Sequence, residues 1–489
     1  LADQRTYVVA IRNLRDTDGQ PVPAPSGFRD VRDNTVRGQP VLRRVAAHYD
    51  ERVWPVLSKA KIDRQSLQLA WDFTTRSYEN AAGPLEHMRA EALALWEESP
   101  PSVAITKVEE GVGEHIARRI EGTIEVPLYL TGTDPTGSLV FEDGLPVANT
   151  TARIPFLAII PNSVAERSES DGPARLLQFG HGIFGSREEI ANGFVADFAD
   201  RFGYVVMAVD WWGMSQEDTG AILDALVKNP SLLMRFMDRV PQAMVHQLAL
   251  AKVAQEVLPD FEEFSVQGKA AYDPDHLFFL GISLGHIFGA TYVSLSPKVE
   301  RAALHVGGAN FSYFLLRSSR LGLFLTALEG QVGKTIDLQL LVAMTQGAFD
   351  RADGSTFASR LHDQPFDDAP RNRPVLFQMG LGDVAVPNIG TAFQARTLGL
   401  PVLSSASTVP PLLETAEPED VDSALAIFDF GIDPLPGQDP TPPTNSNRVH
   451  DDARLVPEVY NQIGEFLRVD GTIKDFCDTP CVLTLPTKE

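Results

Sequence analysis

Apolar residues change their spacing several times along the chain, and each change predicts a different kind of element. In residues 1–113 the runs TYVVAI and LQLAWDF are rich in β-branched and aromatic residues and predict strands. The stretches around 40–60 and 84–97 repeat apolar residues at helical spacing. Together they predict an N-terminal α+β accessory domain over 1–113. From 114 the pattern shifts: RRIEGTIEVPLYL and ARIPFLAIIP flank a connection rich in Gly, Pro and Asp, which predicts an antiparallel pair.

After that pair, strand-like and helix-like runs alternate, the signature of a largely parallel sheet with right-handed crossovers. Strands are predicted for LLQFGHG ending at Gly182, YVVMAVD ending at Asp210, HLFFLGIS running into Ser283, AALHVGG ending near Gly308, VLFQMGLG ending near Gly382, and ALAIFDF at 424–430. Helices are predicted over about 187–201 and 235–257, from Ser283 to about 296, and soon after His450. Between Asn310 and Arg373 lies an insertion with helical spacing, too long for an ordinary connection and so expected to form a cap, with Phe314, Leu315, Phe324 and Leu340 facing inward. Residues 401–447 are rich in Pro and Asp and are expected to be a surface-loop excursion around the last strand. The expected architecture is α/β: a mostly parallel sheet with helices on both faces over 114–468, a helical cap at about 310–373, and a tail over 469–489.

A charged fraction of 22% beside a hydrophobic fraction of 44% leaves enough apolar material for a large core, so disorder is not expected. The net charge of −23 disfavours a nucleic-acid or anionic-membrane partner, since both reward Lys and Arg. No run of about 18 apolar residues occurs, so no integral membrane segment is expected. The basic residues are mostly Arg, which with abundant Asp and Glu suggests a bacterium with a GC-rich genome. The chain begins Leu1-Ala2-Asp3 without methionine, which fits an exported protein trimmed of its targeting segment. Cys477 and Cys481 bracket the turn-forming Asp-Thr-Pro of CDTPC, where a disulfide is expected in an oxidising compartment. They are too sparse for a zinc site, and no metal or cofactor is expected.

The candidate chemistry starts at GISLG, residues 281–285, which matches the G-x-S-x-G turn that exposes a serine between a strand and a helix. Ser283 is the expected nucleophile. HGIFG, 181–185, follows another strand, where a glycine loop supplies a backbone N–H to an oxyanion. The expected donors are Ile183 and Leu284, with His181 positioning the loop. A serine hydroxyl needs a base held by a carboxylate, and this fold places them in the order Ser, acid, His. Of the ten histidines only His450 lies beyond Gly382, and GDVAVPN presents Asp383 just past the strand, so these two complete the expected triad. Trp211 and Trp212, after Asp210, and His286, three residues past the serine, are expected to line the substrate pocket. His246 and His305 are expected to be structural. GQVGKT at 330–335 lacks the glycine that a phosphate-binding loop needs at 328, and Asp350 and Asp353 lack calcium-loop spacing.

The TYVVAIRNLRDTDGQPVPAPSGFRD and LQLAWDFTTRS segments, with HGIFG, VVMAVDWWGMS, GISLGHIFG and GDVAVPN, resemble bacterial extracellular esterases and lipases of the kind called virulence-factor lipases. The resemblance implies an α/β-hydrolase fold, hydrolysis of a small-molecule or lipid-like carboxylic ester through an acyl-enzyme, and a secreted or cell-surface location. It places Ser283, Asp383 and His450 at the triad positions. His286 departs from the pattern, which has glycine there. Amide hydrolysis, another acyl transfer, and a degenerate surface binding protein remain the alternatives.

Overall fold

The computed structural model describes the whole chain except residues 37, 169–171, 230, 231, 233, 438, 488 and 489. It divides into two compact units, Leu1–Ala81 and Ala82–Glu489. The expected domain boundary at 113 is therefore too late. The physical reason is the strand Val103–Val112, which pairs along the edge of the large sheet with Ile116–Leu128. Its exposed Thr, Lys and Glu positions hide it from a search for apolar runs.

In the first unit Thr6–Arg12 and Leu67–Thr74 pair antiparallel, as the β-branched runs predict. Phe28, Val53, Leu57, Leu67 and Ala70 form its small core. Among the described residues the second unit is built on an eleven-stranded sheet. From one edge its strands are Thr415–Ala416, Val402–Leu403, Ala424–Asp429, Val375–Leu381, Val299–His305, Tyr272–Ile282, Ala174–Gly180, Tyr204–Val209, Thr150–Pro161, Ile116–Leu128 and Val103–Val112. Pairing is parallel from Thr415–Ala416 to Tyr204–Val209 and antiparallel beyond. The two short strands at the first edge fall inside the expected loop excursion over 401–447. Two-residue pairings carry too little apolar pattern to be legible.

Helices cover both faces, which is why central strands such as Tyr204–Val209 are buried at every position. Gly193–Phe202 and Pro457–Phe466 pack with Leu177, Phe179, Val206, Phe278 and Leu280 in one apolar cluster. Arg235–Glu256 and Leu284–Leu295 pack against the same strands, and Asn388–Leu398 packs against Val375–Leu381. Between Val299–His305 and Val375–Leu381 the expected insertion is helical: Phe311–Arg317, Gly322–Val332, Thr335–Phe349 and Ala358–Leu361. Cys477 and Cys481 are joined as a disulfide. Among the described residues no helix is long and apolar enough to cross a membrane.

Candidate active site

The strand Tyr272–Ile282 ends on Ser283 and the helix Leu284–Leu295 begins immediately after it. Making that reversal in one residue forces Ser283 to φ 61 and ψ −117, a region that costs an L-residue of order 1–3 kcal/mol. The flanking glycines let the turn close. A β-carbon at Gly285 would lie 1.9 Å from the Gly180 oxygen, and one at Gly281 would lie 2.1 Å from the Gly285 oxygen. Gly285→Ala should therefore lower stability by several kcal/mol, because the obstruction is backbone and cannot rotate away. A urea melt within 1 kcal/mol of the parent would contradict that packing.

The next two side chains arrive from opposite ends of the later sequence. Asp383 follows the strand Val375–Leu381, and its Oδ1 accepts from the Ala385 and Val386 amides at 2.7 and 3.1 Å. Those two bonds aim Oδ2 at His450, whose Nδ1 lies 2.7 Å away. His450 sits in the short helix Val449–Asp452, and its Nε2 is 2.9 Å from the Ser283 Oγ. With a carboxylate on Nδ1, that nitrogen carries the ring proton, leaving Nε2 free to accept from the serine hydroxyl. All three side chains are buried.

This is an α/β-hydrolase fold. The parallel sheet order, the strained serine turn, and an acid and histidine following in that chain order at the same edge of the sheet define it.

Around the glycine loop, His181 takes the positioning role. The Trp211 amide donates to its Nε2 at 2.8 Å, so Nδ1 is the protonated nitrogen and donates to the Gly182 carbonyl at 2.8 Å. Asp210 accepts from the Arg187 amide at 2.7 Å and pairs with the Arg187 side chain, stapling the far end of the same loop. Phe184 donates its amide to the Met214 carbonyl at 2.9 Å. Among the described residues no protein acceptor takes the Ile183 or Leu284 amide.

Three expected pocket residues are elsewhere. Trp211 is fully buried with its ring edge on Phe288, and Trp212 packs on His246, 4.5 Å between centroids, beneath the Arg239 guanidinium. The turn linking Trp212 N to Asp210 O and Met214 N to Trp211 O folds both indoles into the core and presents Met214 instead. His286 is also fully buried: its Nε2 donates to the Gln394 Oε1 at 3.0 Å and its ring meets Phe377. Gly307 makes the room, since a β-carbon there would lie 2.3 Å from that of His286. Burial pushes the His286 pKa down to about 3, so it remains a neutral packing residue. His246 is likewise buried and pushed to about 3.

Two cavities meet beside Ser283. One, about 530 Å³, is lined by Ser283, His450, Ile183, Glu189, Arg320 and Arg454, among others. The other, about 340 Å³, has almost only apolar walls, including Met214, Leu315, Leu328, Val342 and Phe349. Ile183, Phe184, Leu321 and Phe324 line both, and the Phe184 and Phe324 rings stack at 5.7 Å. The inserted helices thus roof the serine, with Phe314, Leu315 and Phe324 facing inward as expected. Leu340 does not. It is 59% exposed, because it stands two residues, or about 200°, from both Leu338 and Val342, which are buried. With Leu323, Ile336 and Met344 it belongs to a bare outer surface.

Sequence reading misses two asparagines. Asn447 donates to the Gly382 carbonyl at 2.6 Å, tying the segment before His450 to the turn before Asp383. Asn388 bridges the same turn, accepting from the Gly382 amide at 2.8 Å and donating to the Gly380 carbonyl at 2.9 Å. Asn388 ends the GDVAVPN segment, but nothing in its spacing announces a bond back to the turn.

No family model and no curated protein sequence matches the chain. Among solved structures it is similar to acetyl xylan esterase 1 from Thermoanaerobacterium sp., at 15% identity over 73% of this chain and 90% of that one, TM-score 0.42. It is also similar to an acetyl xylan esterase from Paenibacillus sp. R4, at 14% over 70% and 87%, TM-score 0.36. An S-formylglutathione hydrolase from Agrobacterium tumefaciens gives 13% over 66% and 90%, TM-score 0.32. These scores are too low to argue from; the fold rests on the sheet order and the turn at Ser283.

Proposed function

We propose that this protein hydrolyses carboxylic esters of apolar acyl groups, with Ser283 as nucleophile, His450 as general base and acid, and Asp383 as the carboxylate that orients it. The unbroken hydrogen-bond chain from Asp383 through His450 to Ser283 carries this reading. Ser283 Oγ attacks the ester carbonyl carbon while its proton passes to His450 Nε2. The imidazolium is stabilised by Asp383, and the carbonyl oxygen, now an anion, is received by the Ile183 and Leu284 amides. Collapse breaks the bond to the alcohol oxygen, which takes the proton from His450. Water then attacks the acyl-enzyme with His450 again as base, releasing the carboxylic acid and free serine.

The apolar cavity is the natural seat of the acyl chain. Its volume of about 340 Å³ falls in the ordinary range for ligand sites, and each methylene buried there adds about 0.8 kcal/mol, about fourfold in binding. That favours a lipase-like preference over an acetyl-specific one. The Cys477–Cys481 disulfide favours action in an oxidising compartment, outside the cytoplasm.

A series of p-nitrophenyl esters from acetate to palmitate, with fluorophosphonate labelling of Ser283, tests this. Labelling and a kcat/KM that rises beyond acetate are expected; no labelling and no turnover would reject an esterase. Leu328→Trp, which fills the apolar cavity, should cut kcat/KM for octanoate at least about tenfold more than for acetate. A parallel loss on both would place the acyl chain elsewhere.

A further inference from the structure

The wall of the cavity around Ser283 holds a cation that the ester-cleaving steps do not use. Arg454 lies four residues beyond His450 and lines the same cavity as Ser283 and His450. One of its terminal nitrogens donates to the His450 carbonyl at 3.2 Å, while its Nε is buried without an acceptor. Burial depresses the guanidinium pKa, although Asp451, Glu189 and Asp383 all pull the other way. Arg320 is the nearby cation that opposes them.

Each of those carboxylates is committed elsewhere. Asp451 takes both of its bonds from Arg320, at 2.6 Å each. Asp383 is filled by His450 and two amides. Glu189 accepts from the Gly182 amide at 3.3 Å and is tucked against the glycine loop, where a β-carbon at Gly185 would lie 1.8 Å from its Oε1. Among the described residues no carboxylate pairs with Arg454. A largely buried guanidinium with spare donors is costly unless something anionic joins it, and its planar fork suits a carboxylate or a phosphate.

We propose that Arg454 reads a negative charge on the alcohol portion of the ester, so that the substrate joins an apolar acyl chain to an alcohol bearing a carboxylate or phosphate. This rests on the esterase reading above. The alcohol side follows from the layout: the apolar cavity takes the acyl chain, and Arg454 hangs from the same segment as His450, which delivers the proton to the departing oxygen. The bond broken and the proton transferred are those of ordinary ester hydrolysis; only recognition is added.

Three octanoyl esters of matched phenols test it: those of 4-hydroxyphenylacetate, 4-hydroxybenzylphosphonate and the neutral 4-hydroxyphenylacetamide. The parent enzyme should favour at least one anionic ester over the amide by about tenfold or more in kcat/KM, mainly through KM, and the preferred one identifies the anion. In Arg454→Gln the ratio should fall to about one, and Arg454→Lys should keep part of it. Should Arg454→Gln fail to melt cooperatively, raising salt from about 20 to about 500 mM should erode the ratio in the parent enzyme. A parent ratio at or below one, or a folded Arg454→Gln that retains the preference, overturns the inference while leaving the esterase standing. Failure to cleave any of the three overturns both.

Discussion

Ser283→Ala should lower kcat for p-nitrophenyl octanoate by at least about 10⁴-fold while the thermal transition stays within a few degrees of the parent. Among the described residues the hydroxyl has one partner, the His450 Nε2, and its backbone amide is separately held by the His305 carbonyl at 2.9 Å. Removing the oxygen therefore deletes the nucleophile without unpinning the turn. Any remaining rate should come from the oxyanion donors and substrate binding alone. Turnover above about a thousandth of the parent would mean that another group attacks the ester.

The second large effect belongs to the carboxylate. Asp383→Asn keeps the size of the side chain and can keep both bonds from the Ala385 and Val386 amides, yet it can present an N–H where His450 requires an acceptor. The imidazole is then pushed toward the tautomer with its proton on Nε2, and Ser283 faces a donor instead of a base. A loss on the order of 10⁴ in kcat is expected, with KM little changed. If the loss were below about tenfold, Asp383 would be a structural partner of His450 and the acid would have to be sought elsewhere.

How far the sequence reveals this arrangement depends on whether a residue's role is local. Ser283 is legible because its turn needs glycines at fixed offsets, 281 and 285, and an apolar strand before them. His450 and Asp383 are legible by chain order, since few residues of the right chemistry follow the later strands. The indoles of Trp211 and Trp212 mislead because a residue at the end of a central strand can turn toward the opening or into the core, and only the hydrogen bonds of the following turn decide which. His286 misleads for a related reason: the room it occupies is created by Gly307, on a different strand exit. The helical periodicity of the cap is visible in the sequence, but which of Leu340 and Val342 points inward depends on a helix phase fixed by neighbours distant in sequence. Arg454 carries no motif at all; its interest lies in three carboxylates being occupied by other partners.

The backbone at Ser283 has a consequence for how the protein can be improved. Selection for heat resistance alone would reward a glycine at 283, which adopts positive φ without strain and leaves the turn intact. The gain would come from removing the strained β-carbon, and the hydroxyl that the proposed chemistry depends on would go with it. Stabilising campaigns on this chain therefore need an activity screen at every round, and sequences proposed from stability scores alone should be expected to drift toward well-folded, inert proteins at this position.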